Sequence, residues 1–139
     1  MITPTQKGLV QESFGLVAPI APTAAALFYQ RLFELDPTVR PMFKGDIGEQ
    51  GKMLMQALAI AVKSLDRPDG LIPMLKDLGR RHAKYGVTDA HYDTVGAALI
   101  WTLEQGLGSR FTADVREAWL TVYGVVATTM KAAANEAAA

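Results

Sequence analysis

Apolar residues recur at helical spacing along nearly the whole chain, and no stretch alternates with period two over strand length. Thr3-Pro4-Thr5-Gln6 reads as an N-cap, a proline at the first helical position and a capping-box glutamine ahead of Leu9, Val10, Phe14 and Val17. A first helix is predicted to start there. Pro19 and Pro22 interrupt the pattern, after which Ala24, Leu27, Phe28, Leu32 and Leu35 define a second helix up to Asp36-Pro37. That dipeptide caps a short third helix reaching Met42. Gly45, Gly48 and Gly51 loosen the next connection, and Ile47, Leu54, Leu58, Val62 and Leu65 mark a long helix ending near Asp66-Arg67-Pro68. Asp69 is expected to cap the helix carrying Leu71, Leu75, Leu78 and His82, with Pro73 in its first turn. Tyr92, Val95, Leu99, Leu103 and Leu107 form the next stripe, and Thr112 caps a last helix through Val115, Trp119, Val122, Val126 and Met130. The alanine-rich tail from Ala132 is expected to fray. The pattern predicts an all-α fold of helices packed in a globule or bundle.

At 139 residues, with no internal repeat or interdomain linker, the chain reads as a single domain over 1–139. Fourteen basic residues balance fourteen acidic ones and no basic stripe is interleaved with aromatics, so nucleic acid is not an expected partner. The longest apolar stretch, Leu54 to Val62, contains Gln56 and is too short to span a bilayer, so no membrane association is expected. No secretory signal pattern opens the chain, and the expected location is the cytoplasm. Without cysteine, disulfides, thiol catalysis, iron–sulfur clusters and thiolate zinc sites are excluded. Metal binding must use histidine, carboxylate or a prosthetic group.

His82 closes the apolar stripe of its helix and is followed at once by the break Tyr85-Gly86. A neutral imidazole placed so is a good iron ligand, because one ring nitrogen can reach the metal while the other is held by a nearby carbonyl. On that residue alone, a satisfied core histidine is the commoner reading. Gln50 shares a face with Ile47, Leu54 and Leu58, which directs a polar amide inward. Left unpaired when buried, such an amide costs about 1–3 kcal/mol. Tyr29, beside Phe28, and Phe43, at the corner after the third helix, each read first as core residues. Arg80, Arg81 and Lys84 complement a helix C-terminal dipole, and His91 opens a helix with no metal partner in view.

Taken in order, a tyrosine in the second helix, Pro37 at the turn, Phe43, Gln50 and then His82 form a pattern that resembles the globin family. The segments LFYQRLFELDPTVRPMF, GEQGKMLMQAL, LGRRHAKYGV, HYDTVGAAL and AWLTVYGV carry the resemblance across essentially the whole chain. It is closest to bacterial single-domain globins related to the haem domain of flavohaemoglobins, of the Hell's Gate type. The resemblance implies a globin fold around haem b (iron protoporphyrin IX), with His82 as proximal iron ligand. It places Tyr29, Gln50 and Leu54 on the distal, ligand-binding side, with Phe28 and Phe43 completing a dry wall against the haem. Lys52, Met53, Arg81, Lys84, Tyr85, Val87, Tyr92 and Val95 are implied to line the cofactor, Lys52, Arg81 and Lys84 through its propionates. In flavohaemoglobins a glutamate near the end of the last helix completes a triad with the histidine and a tyrosine matching Tyr92; here that position is Ala134, and Glu136 is out of register.

Three functions follow from the resemblance. The first is reversible, high-affinity binding of dioxygen, with phenol and amide donors each adding about 1–2 kcal/mol to the retention of a polarised ligand; carbon monoxide and nitric oxide are further gas partners. The second is nitric oxide dioxygenation, which draws electrons from a separate reductase because the chain ends where flavin and nicotinamide domains would begin. The third is a haem-free globin-fold sensor or interaction module. A monomer or weak homodimer is expected.

Overall fold

Thr3 opens the first helix by reciprocal capping: its hydroxyl accepts from the Gln6 amide at 3.1 Å, and the Gln6 side-chain oxygen accepts from the Thr3 amide at 3.1 Å. In this computed structural model, which describes residues 2–43 and 45–138, that cap begins α1 (Pro4–Val17). It is followed by α2 (Ala21–Leu35), α3 (Ile47–Lys63), α4 (Pro68–Lys84), α5 (Asp89–Leu107) and α6 (Ala113–Ala138). Short 3₁₀ turns at Ala18–Ile20, Pro37–Met42, Ser64–Asp66 and Gly108–Arg110 connect them, and no strand occurs among the described residues. The fold is all-α. No helix among the described residues is long and apolar enough to cross a membrane.

Several local expectations shift. Asp69 does not cap α4: the helix starts at Pro68 after Arg67, and Asp69 lies in its first turn, where a carboxylate favours the positive end of the dipole. Pro73 sits in the helix interior, beyond the first turn. The carbonyl of Asp69 loses its amide partner there, and because both residues are exposed, water can replace it. Gly48 and Gly51 are helical residues of α3, not part of a loose connection. A Cβ at Gly51 would stand 2.9 Å from the Ala25 Cβ, so this glycine sets how closely α3 approaches α2. The alanine tail continues α6 to Ala138 instead of fraying at Ala132, in keeping with alanine's high helix propensity.

The main core joins α1, α2, α5 and α6 through Val10, Phe14, Phe28, Leu32, Leu103 and Trp119. Trp119 is fully buried, and its indole N–H donates to the Ser13 hydroxyl at 2.8 Å, satisfying a group that would otherwise cost about 1–3 kcal/mol. A second cluster of Leu71, Leu75, Tyr92, Ala127 and Met130 holds α4 on α6. Gly79 permits that contact, since a Cβ there would lie 2.8 Å from the Met130 Cα and collide with its carbonyl oxygen. Thus α3 packs on α2 while α4 packs on α6, and the two helices separate beyond the turn that joins them.

Candidate functional site

At the end of α4 the His82 Nδ1 lies 2.7 Å from the Leu78 carbonyl oxygen, one turn back on the same helix. A carbonyl only accepts, so Nδ1 carries the proton and Nε2 keeps a free lone pair. The half-buried ring is followed by a tight helix stop: the Val87 amide donates to the His82 carbonyl at 3.1 Å, and Gly86 takes φ +91°, a conformation that side chains disfavour. The Leu78 carbonyl thus orients the imidazole, and the sequence from His82 to Val87 ends the helix just beyond it. Val87 is half-buried beside the second cluster, whereas Tyr85 is 69% exposed, its ring centroid 6.4 Å from that of His82.

On the other side, Tyr29 is buried on α2 among three aromatic rings, with centroids 5.2 Å from Phe28, 6.0 Å from Phe33 and 5.3 Å from Phe43. Its hydroxyl donates to the backbone carbonyl of Gln50 at 3.3 Å. Burial pushes the phenol up to about 12, so it stays a proton donor across the ordinary pH range. The Gln50 side chain is half-buried and makes no hydrogen bond among the described residues. Leu54 and Val95 are half-buried against the main core. Tyr29, Phe28, Phe43 and Gln50 are thus brought together at the α2–α3 crossing. Phe33, which contacts both Tyr29 and Phe43, completes the aromatic group; its position one helical turn after Tyr29 was the available sign.

Tyr92 lies at the start of α5 and is only 6% exposed, yet its hydroxyl is buried without a hydrogen-bond partner. Its backbone carbonyl accepts from the Tyr123 hydroxyl at 2.6 Å, and burial raises both phenols above the ordinary tyrosine value. A Cβ at Gly96 would meet the Tyr123 ring at 2.7 Å, so that glycine admits the ring against α5. Ala134 on α6 brings no carboxylate to Tyr92, and Glu136 is exposed. Lys52 pairs with Glu49 at 3.4 Å and Arg81 pairs with Asp77, each within its own helix; both cations are exposed, as are Arg80, Lys84 and Met53. His91 accepts from the Thr88 amide at 2.9 Å through Nδ1, a helix-start role.

No three His, Asp or Glu side chains converge on a metal position among the described residues. An iron held by His82 would need a group that supplies its remaining ligands, and the donors present fit such a group: one imidazole nitrogen with its tautomer fixed, and the buried Tyr92 hydroxyl without a partner.

The globin family profile matches residues 26–130. Neuroglobin of Danio rerio is 31% identical over 138 residues, covering 89% of this chain and 87% of the relative. The flavohemoprotein of Bacillus subtilis is 32% identical over 109 residues, covering 76% of this chain and 27% of the relative, so the chain spans about a quarter of that protein. Among solved structures, an engineered carbene transferase from Rhodothermus marinus superposes with a TM-score of 0.87 at 24% identity, covering 98% of this chain and 95% of the other. At that identity the likeness shows a shared fold. With the family profile matched over most of its length and the same helical architecture, the chain belongs to the globin family, membership of which implies haem-based gas binding.

Proposed function

We infer that this protein holds haem b through His82 and binds dioxygen reversibly and tightly in the cytoplasm. The observation that carries the reading is the His82–Leu78 hydrogen bond, which leaves the Nε2 lone pair free for a metal. Haem b, when bound, supplies the iron that takes the gas. His82 anchors the cofactor from one side, and Val87, Tyr92 and Val95 give it apolar contact there. Leu54, Phe28 and Phe43 exclude water from the other side. Tyr29 turns its protonated phenol from the Gln50 carbonyl to the gas, and the free Gln50 amide is the second donor; Met53 and Tyr85 cover the cofactor's edges. Lys52, Arg81 and Lys84 stand at the rim as cations for propionates, Lys52 and Arg81 after release from Glu49 and Asp77.

Nitric oxide dioxygenation with a reductase partner is the second reading. The buried phenol of Tyr29 packed beside Gln50 supports it, as do relatives named flavohemoprotein. The absence of a carboxylate at Ala134 to engage Tyr92 weighs toward simple gas binding.

The deciding experiment is the absorption spectrum of the haem-supplied protein, reduced without oxygen and then given carbon monoxide. A broad single visible band that shifts sharply on adding the gas is expected. A preparation without a protein-bound Soret band would leave only a haem-free interaction module.

A further inference from the structure

The chain has two histidines, His82 and His91, and both hold the short connection between α4 and α5, through opposite tautomers. At His82 the ring Nδ1 carries the proton, fixed by the Leu78 carbonyl, while the His82 backbone carbonyl accepts from the Val87 amide at 3.1 Å. The next amide along, that of Thr88, donates to the His91 ring at 2.9 Å, so there Nδ1 is the bare acceptor and Nε2 carries the proton. Two consecutive amides thus pin the connection, one to each histidine. Tyr85, Gly86 and Thr88 are exposed, so burial helps to hold this stretch only at Val87.

The residue that reaches back to a helix start in this way is ordinarily a glutamate or glutamine, whose side-chain oxygen accepts throughout the neutral range. An imidazole accepts only while it is uncharged. A proton on Nδ1 of His91 removes the lone pair and sets two N–H groups against each other. It also places a positive charge in the first turn of α5, where the helix dipole opposes it. The charges around the ring are Asp89 and Asp93 on α5 itself and Lys131 on α6, which Asp93 engages at 3.9 Å. At the end of α2, the Asp36 carboxyl is held below the usual carboxylate range first by the Thr38 hydroxyl, then by the Thr38 amide and last by the charge of His91. An imidazolium that leaves Thr88 therefore has carboxylates to turn to.

We propose that His91 is an acid-sensitive latch: uncharged, it positions the connection that follows the His82 helix, and protonated, it releases the Thr88 amide and loosens that connection. The bond is complete above the pH range in which an imidazole changes charge and is lost as pH falls through it. His91 is a positioning residue, acting on the end of α4 only through the main chain from Thr88 to Val87 and the His82 carbonyl. Any effect on haem rests on the function proposed above; the latch itself does not.

The test is NMR of the full-length, haem-supplied protein in its reduced carbon monoxide form, titrated from pH about 8 to about 5. The Thr88 and Val87 amide resonances are expected to move along the same curve as the His91 ring protons. His91→Gln, which accepts at both ends of the range, should leave both amides still. Thermal midpoints supply a second reading. His91→Ala should lie about 2–5 °C below the wild type at pH about 8 and meet it at pH about 5, whereas His91→Gln should match the wild type at the higher pH and exceed it at the lower. A His91 ring that keeps one charge state across the range, a Thr88 amide that stays still while the ring titrates, or a His91→Gln protein whose Thr88 amide moves as in the wild type would each overturn the proposal. A chain that takes up no haem yields the same resonances and midpoints without the gas, so the Soret band scores the haem reading separately.

Discussion

The Tyr29 hydroxyl stands 3.3 Å from the Gln50 backbone carbonyl, bridging α2 and α3 where Gly51 lets the two helices meet. This bond ties the two helices together, and on the function proposed above the same hydroxyl turns from the carbonyl to hold a bound gas. Tyr29→Phe removes both functions. The expected result is oxygen dissociation faster by about five- to thirty-fold, the equivalent of about 1–2 kcal/mol. Stability should fall by about 0.5–1.5 kcal/mol through loss of the bond to Gln50. Flash photolysis gives the first and thermal melting the second; an unchanged off-rate would mean the hydroxyl serves α3 alone.

His82→Gly leaves a space at the end of α4 without disturbing the Tyr29 cluster. Haem retention should weaken by at least about 100-fold, because a direct ligand is lost where even its outer partners are usually worth about 10- to 100-fold. Free imidazole added to the variant should restore the five-coordinate spectrum. A His82→Gly protein with an unchanged Soret band and no response to imidazole would move the ligand role to another residue.

Alkaline stability follows from three buried phenols. Burial raises Tyr29 to about 12 and raises Tyr92 and Tyr123 as well, so in the folded state each keeps its proton where the unfolded chain, titrating near about 10, has lost it. Their contribution to stability is complete below pH about 10 and is lost as pH rises from about 10 through about 12. Thermal midpoints should therefore be level from pH about 8 to about 9.5 and fall steeply above it, and Tyr29→Phe should lessen the fall. A flat profile to pH about 11.5 would contradict the burial of these groups.

Two glycine-to-alanine changes should have opposite signs. At Gly79 the added methyl group meets the Met130 backbone, so α4 and α6 must part, costing about 1–3 kcal/mol. At Gly8, exposed in the middle of α1 with open space around it, alanine should stabilise by about 0.5–1 kcal/mol. Urea unfolding of the two variants reads both directly, and a neutral Gly79→Ala would mean that the α4–α6 crossing is looser than its geometry implies.

The sequence by itself determined the helical class, the order of the helices and most of their boundaries. Those signals act within a turn or two: the Thr3–Gln6 box, the Asp36 side chain accepting from the Thr38 amide, and Thr112 accepting from the Val115 amide each operate over two or three residues. His82 and Gln50 were legible in the same way, as polar groups placed on apolar stripes, whereas Tyr29 and Phe43 stood out only through the family resemblance. What these residues face was not legible. The Tyr29 hydroxyl reaches a main-chain carbonyl 21 positions on, Tyr123 reaches that of Tyr92 31 positions back, and both partners are backbone atoms that no residue type announces. Gly48 and Gly51 read locally as a loose connection because glycine lowers helix propensity; packing against Ala25 outweighs that preference at Gly51. Only the tertiary structure decided that α3 follows α2 while α4 follows α6, because Gly51 and Gly79 each admit a crossing whose other half lies elsewhere in the chain. The divergence of α3 and α4 is a property of those two distant contacts.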